Sequence, residues 1–212
     1  IAWKPHDDSP ALTGFSHGVA GIAYALLSLY RETQELVFYQ TAEEAIAFED
    51  TQYNAKMGNW ADNRVDPANP DENIGNTFMW GWCNGAPGIA LGRIGTLDVF
   101  DNKTVRAQIE ESINATANQP HLRADHLCCG NASLGEVLLS AGENYQYPSW
   151  KQAALKLTST TISRHTSEGA FTPHSVFNEL FNPSLFQGSS GFGYHLLRLL
   201  EPVDLPNILL LE

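Results

Sequence analysis

Cys83, Cys128 and Cys129 are the three cysteines of a 212-residue chain, and each stands just ahead of a glycine turn. An odd number with two adjacent members is a poor disulfide framework, because neighbouring cysteines pair only with strain. Their settings match. Cys83-Asn84-Gly85-Ala86-Pro87-Gly88-Ile89 and Cys128-Cys129-Gly130-Asn131-Ala132-Ser133-Leu134 each run from a small-residue turn into an apolar helical pattern. Two further segments have the same form, Ser16-His17-Gly18-Val19-Ala20-Gly21-Ile22 and Phe186-Gln187-Gly188-Ser189-Ser190-Gly191-Phe192. If the four turns are equivalent, His17, Cys83, Cys128, Cys129 and Gln187 lie around one end of a helical stack.

Three convergent thiols suggest zinc, a metal that accepts soft thiolate ligands. Three protein ligands with a fourth position open is the catalytic pattern, and the chain has no fourth cysteine. A structural site would need another ligand, which His17 or His126 could supply. Taken singly, each cysteine reads equally as a small buried apolar residue; taken as a set, they read as a metal site. Zinc binds a thiol as thiolate. Three cysteinates and a substrate thiolate leave the centre net negative, which keeps the bound sulfur nucleophilic and suits thiol activation better than water activation. His17 could donate a proton near neutral pH; the competing reading is a histidine that caps or packs a helix start.

The elements that would carry these residues are helical. Gly18, Gly85, Gly130 and Gly188 stand 67, 45 and 58 residues apart, intervals that suit one helical hairpin each. Val19, Ile22, Ala23, Leu26 and Tyr30 predict one inner-helix face, and Leu134, Val137, Leu138 and Ala141 another. Phe192 to Leu200 is apolar nearly all round, which predicts a fully buried inner helix. Stripes with polar opposite faces predict outer helices: Phe38, Ala42, Ala45 and Ile46; Val105, Ile109 and Ile113; Trp150, Ala153, Ala154, Leu157 and Thr161. Period-2 alternation is not sustained anywhere. The layout is inner helix, loop, outer helix, repeated about four times, closing as an α/α toroid or stacking as an open solenoid. Asp50 to Thr77 is the longest irregular stretch, and such loops are often functional.

A formal net charge of −12 excludes nucleic acid as a partner, since phosphate binding needs clustered Lys and Arg. No apolar run approaches the ~20 residues of a membrane helix, so no transmembrane segment is expected. The absence of a secretory signal and the unpaired thiols predict a cytoplasmic protein. The chain begins at Ile1 and enters a motif by residue 14, as if cut from something longer.

These strings resemble the LanC-like cyclase domain, specifically the C-terminal domain of class II lanthipeptide synthetases of the LanM type. The likeness runs from Ser16-His17-Gly18 through Gly58-Asn59-Trp60-Ala61-Asp62, Trp82-Cys83-Asn84-Gly85 and Asp125-His126-Leu127-Cys128-Cys129-Gly130-Asn131. It continues to Pro183-Ser184-Leu185-Phe186-Gln187-Gly188 and Leu205 to Glu212. The resemblance implies an all-α fold, an α/α toroid with a double ring of inner and outer helices. Residues 1–212 would form about the C-terminal half to two-thirds of that ring, one partial domain without its upstream part or the dehydratase domain. It implies Zn²⁺ on Cys83, Cys128 and Cys129, with His17 as the acid/base residue and its acidic partner upstream of Ile1. Many relatives carry Cys-His-Gly where this chain has Cys128-Cys129-Gly130, and the Cys-Cys form marks a more reactive subgroup of broader substrate range. Asn84 stands where most have His, and Ser189-Ser190 where small apolar residues are common. The implied reaction is addition of precursor-peptide cysteine thiols to dehydroalanine or dehydrobutyrine, giving lanthionine or methyllanthionine rings. The implied partners are the precursor peptide, leader and dehydrated core together, and the upstream dehydratase domain of the same protein. The alternatives are a non-catalytic zinc-containing module that binds a peptide or thiol, and, less favoured, a toroidal glycoside hydrolase. The latter would need two carboxylates at a set separation, and the aligned turns hold none.

Overall fold

The four glycine turns start four helices. In the computed structural model, which describes residues 1–6, 9–64, 77–168, 181–201 and 204–211, Gly18, Gly85, Gly130 and Gly188 are the N-caps of α1 (Val19–Thr33), α3 (Ala86–Ile94), α5 (Asn131–Asn144) and α7 (Ser189–Leu200). Between them lie α2 (Leu36–Asp50), α4 (Lys103–Ala117) and α6 (Pro148–Glu168). A short antiparallel hairpin joins β1 (Tyr53–Asn54) to β2 (Asn59–Trp60), with Tyr53 opposite Trp60.

Each turn is closed by the same device. The first helical N–H has no partner within its helix, and the loop folds back to supply one. Val19 donates to the Leu12 carbonyl (2.9 Å), Asn131 to Ala124 (2.9 Å) and Ser189 to Asn182 (2.9 Å), seven residues back each time. In the remaining turn, at Gly85, a side chain is interposed. Ala86 N–H donates to Asn59 Oδ1, while the equivalent carbonyl, Met79 O, accepts from Asn59 Nδ2 at 3.0 Å. Glycine is required at this cap: Gly85 has φ +100°, and a Cβ there would lie 1.8 Å from Met79 O.

The chain forms two compact units, Ile1–Ala115 and Thr116–Glu212. In the first, α1 packs on α2 and α3. Every residue of α3 is buried, as expected of an inner helix. The stripe Val105, Ile109, Ile113 on α4 is at most 1% exposed, and Ala42, Ala45 and Ile46 form the buried face of α2. On α1 the face is rotated from the expected one. Val19, Ala20, Ala23 and Leu27 are buried, whereas Ile22, Leu26 and Tyr30 are only half-buried, because the face turned to α2 and α3 is the small-residue one. Glu49 and Arg93 are buried as an ion pair at 3.4 Å, and the Arg93 guanidinium lies 4.8 Å over the Trp60 ring.

In the second unit, α5 packs on α6 and α7. The expected α5 face is buried, as are Trp150, Ala154 and Thr161 of α6. The expectation of a fully buried α7 is wrong. Leu197 is 55% and Leu200 75% exposed, while the buried residues include His195 and Arg198. Glu136 of α5 is the reason: it pairs with His195 Nδ1 at 3.0 Å and Arg198 Nε at 2.8 Å, so the polar face is the one drawn inward. Among the described residues no outer helix follows α7. A 3-10 turn, Ile208–Leu210, closes the segment with Leu209 and Leu210 buried, so three helix pairs and a seventh helix stand where four pairs were expected. Of the irregular stretch from Asp50 to Thr77, residues 65–76 lie outside the described residues, as does Glu212 of the terminal string.

Candidate metal centre

The turns place their chemistry by linking equivalent positions. Ser16 N–H donates to the Cys83 carbonyl at 3.1 Å, joining the residues two before Gly18 and Gly85. Cys128 N–H donates to the Phe186 carbonyl at 2.8 Å, joining the residues two before Gly130 and Gly188. Within each unit, therefore, the two turns stand at the same end of their inner helices, as the sequence repeat predicted.

In the first unit, Cys83 is 2% exposed in a tight loop held by Gly81 N–H to the Asn84 carbonyl (3.1 Å). Asn84 is fully buried. Its Nδ2 donates to Asp62 Oδ1 at 3.0 Å, and its Oδ1 has no hydrogen-bond partner among the described residues. Arg64 caps Asp62 through backbone and guanidinium; burial alone would raise this carboxyl, but Arg64 and Asn84 outweigh it and hold it below the ordinary value. Asp62 lies in a string the resemblance marked, yet its hold on Asn84 was not foreseen. His17 is exposed, one residue after the Ser16 link to Cys83. Its loop is anchored from below, where Gly14 N–H donates to Glu49 Oε1 at 3.3 Å and Thr13 Oγ1 to the Ala61 carbonyl at 2.8 Å. Burial pushes Glu49 up to about 7, against the opposing pull of Arg93.

In the second unit, Cys128 is 9% exposed and Cys129 half-buried. Behind them Asp125, fully buried, takes Asn131 Nδ2 at 2.8 Å and the Arg164 guanidinium. His126, 1% exposed, accepts the Cys129 N–H on Nδ1 at 3.3 Å, with Nε2 at 4.0 Å from Cys129 Sγ. Gln187, the rim position of the fourth turn, is exposed.

Among the described residues, Cys83, Cys128 and Cys129 form a group able to hold a metal ion, their sulfur atoms all within 4.8 Å of one another. Three thiolates are a donor set that zinc accepts with a fourth position open, so the chemistry of these residues fits the metal. His17 and His126 are not part of that group.

A model of the family described as lanthionine synthetase C-like protein matches residues 1–210. The chain belongs to the lanthionine synthetase C-like family. A LanC-like chain should share its fold with solved members, and it does: a structure titled nisin cyclase superposes with a TM-score of 0.68 at 16% identity, over 94% of this chain and 50% of that one. The fold is of the all-α, helical-toroid class expected from the sequence, and the chain spans about half the length of the nisin cyclase chain. A comparison with curated protein sequences gives no significant match. Among the described residues, no helix of this LanC-like chain is long and apolar enough to cross a membrane.

Proposed function

We propose that this LanC-like chain is the zinc-bearing part of a lanthipeptide cyclase of the LanM type, acting in the cytoplasm. The observation that carries the reading is the approach of three thiols, from two equivalent glycine turns, to within 4.8 Å. Cys83, Cys128 and Cys129 would hold Zn²⁺ and leave one position for a substrate thiol. When bound, zinc supplies a lowered thiol pKa and a sulfur that stays nucleophilic.

The remaining work falls to the protein. The substrate sulfur forms a bond to the β-carbon of dehydroalanine or dehydrobutyrine, the C=C π pair moves to the α-carbon and carbonyl, and the α-carbon then takes a proton. His17, exposed at the rim and tied through Ser16 N–H to Cys83, is the proposed donor of that proton. The buried Glu49 and the Thr13–Ala61 contact fix its loop, so the donor needs little reorganisation. The precursor peptide supplies both nucleophile and electrophile, and an upstream dehydratase domain of the same protein would prepare it.

The test is a cyclisation assay. Zinc-loaded protein is mixed with a dehydrated precursor peptide, and free thiols are counted by alkylation and mass spectrometry. The expected result is thiol loss without mass change, abolished by chelation and reduced about 10²–10⁴-fold by His17→Ala. Retention of the peptide with no thiol consumption above the uncatalysed rate would overturn the catalytic reading in favour of a binding module.

A further inference from the structure

Asn59 and Asp62 stand three residues apart, and both reach the loop that carries Cys83. Asn59 holds its two ends: Oδ1 accepts the Ala86 N–H, and Nδ2 donates to the Met79 carbonyl at 3.0 Å. Asp62 holds its middle, taking Asn84 Nδ2 on Oδ1 at 3.0 Å. The same segment is also bound to the loop that leads to His17. Thr13 Oγ1 donates to the Ala61 carbonyl at 2.8 Å, and Asn63 Nδ2 to the Ala11 carbonyl at 3.3 Å. The two loops meet directly as well. Ser16 N–H donates to the Cys83 carbonyl at 3.1 Å, and a Cβ on Gly14 would lie 2.9 Å from that carbonyl and 2.8 Å from Asn84 Cα. Residues 11–17, 59–63 and 79–86 therefore brace one another, and all three stretches lie in the first unit.

Asn84 is the joint of this frame. It follows Cys83 directly, is fully buried, and its carbonyl accepts the Gly81 N–H at 3.1 Å. A carboxylate can only accept, so Asp62 fixes which end of the amide faces it. The nitrogen is turned to Asp62. The oxygen is left without a hydrogen-bond partner among the described residues, 3.0 Å from where a Gly14 Cβ would stand. A buried acceptor without a partner is a cost that an apolar side chain would avoid, so packing alone does not account for Asn84. Nor does charge pairing. Arg64 Nε already donates to Asp62 Oδ1 at 2.9 Å and to Oδ2 at 3.1 Å, which matches the carboxylate without Asn84.

We propose that Asp62 is a positioning residue of the cyclase site, which through Asn84 holds Cys83 and the His17 loop at a fixed separation. This rests on the reading of Cys83 as a zinc ligand and His17 as the proton donor. Partners behind a metal ligand set its orientation and hence the metal affinity, and a small displacement of a donor costs rate without loosening the substrate.

The test compares the full chain as wild type, Asp62→Ala, Asn84→Ala, the double variant and Asp62→Asn. Zinc affinity is read by chelator competition, and cyclisation of a dehydrated peptide by thiol counting. Asp62→Ala and Asn84→Ala should each bind zinc about 10- to 100-fold more weakly and lower kcat about 100-fold with KM little changed. The double variant should be no worse than either, because both changes break one link. Asparagine at 62 keeps an acceptor for Asn84 Nδ2, so Asp62→Asn should restore most of the zinc affinity. Ile109→Ala, which removes a buried side chain of α4, serves as the control for lost stability and should leave zinc affinity and kcat unchanged. Additive losses in the double variant, or an equal loss in Ile109→Ala, would reduce Asp62 to a structural residue and overturn the proposal. So would folded variants that match a zinc-holding wild type. A wild type that holds no zinc would overturn the proposed function, and this proposal with it.

Discussion

The contribution of Glu49 to stability should fall as the pH rises from about 5 to about 8, and Glu49→Gln should remove it. Glu49 is fully buried on α2, with Arg93 at 3.4 Å and the Gly14 N–H at 3.3 Å. Burial raises its carboxyl from 4.5 to about 7, the Arg93 charge and the Gly14 hydrogen bond opposing. The folded value is the higher one, so the folded protein keeps a proton that the unfolded chain has already released. This contribution is fully present below about 4.5 and is lost as the pH rises through about 7. At about 1.4 kcal/mol per pKa unit the whole effect is roughly 3 kcal/mol, most of it between pH 5 and 8. Glutamine keeps an acceptor for Gly14 but cannot ionise. Urea denaturation leaves electrostatics unscreened, and tryptophan fluorescence reports the first unit, where Trp60 lies under Arg93. Wild type should lose about 2–3 kcal/mol relative to the variant across that range. A difference that stays constant within about 0.5 kcal/mol would refute the reasoning, because Arg93 would then hold the carboxylate ionised throughout.

Gly85→Ala should be among the most damaging single changes in the first unit, since φ +100° and a Cβ 1.8 Å from a backbone carbonyl leave the loop no way to yield; a loss above about 2 kcal/mol in denaturant titration checks it. Ile109→Ala removes a fully buried side chain from α4 and should cost about 2–5 kcal/mol in the same assay. Arg198→Met breaks the pair with Glu136, a carboxylate held below its ordinary value because His195 and Arg198 outweigh the effect of burial. It should cost about 3–5 kcal/mol, and a near-neutral result by thermal melting would show that His195 alone satisfies Glu136.

The turns were legible because a close approach at each cap leaves room for glycine alone, so the motif is written in residue identity. The outer stripes of α2 and α4 were legible because one face is apolar and the other polar. On α7 both faces looked apolar, and nothing local says that Glu136, more than fifty residues earlier, draws His195 and Arg198 inward. Nothing local marks Glu49 as one half of a buried pair either: its partner Arg93 is distant in sequence. The Asn59 bridge to the start of α3 and the Asp62–Asn84 pair are side-chain contacts across more than twenty residues, which no periodicity encodes. His126 was visible as a histidine near the cysteines, but its contact with the Cys129 backbone N–H exists only in the folded turn.

The most direct test of the account is zinc content, measured by elemental mass spectrometry on purified wild type beside Cys83→Ala and Cys129→Ala. The three-thiol centre predicts about one zinc per chain in the wild type and loss from both variants, with helical circular dichroism retained. A folded wild-type protein without zinc, or variants that keep it, would contradict the centre and leave the three cysteines as packing residues at the starts of α3 and α5.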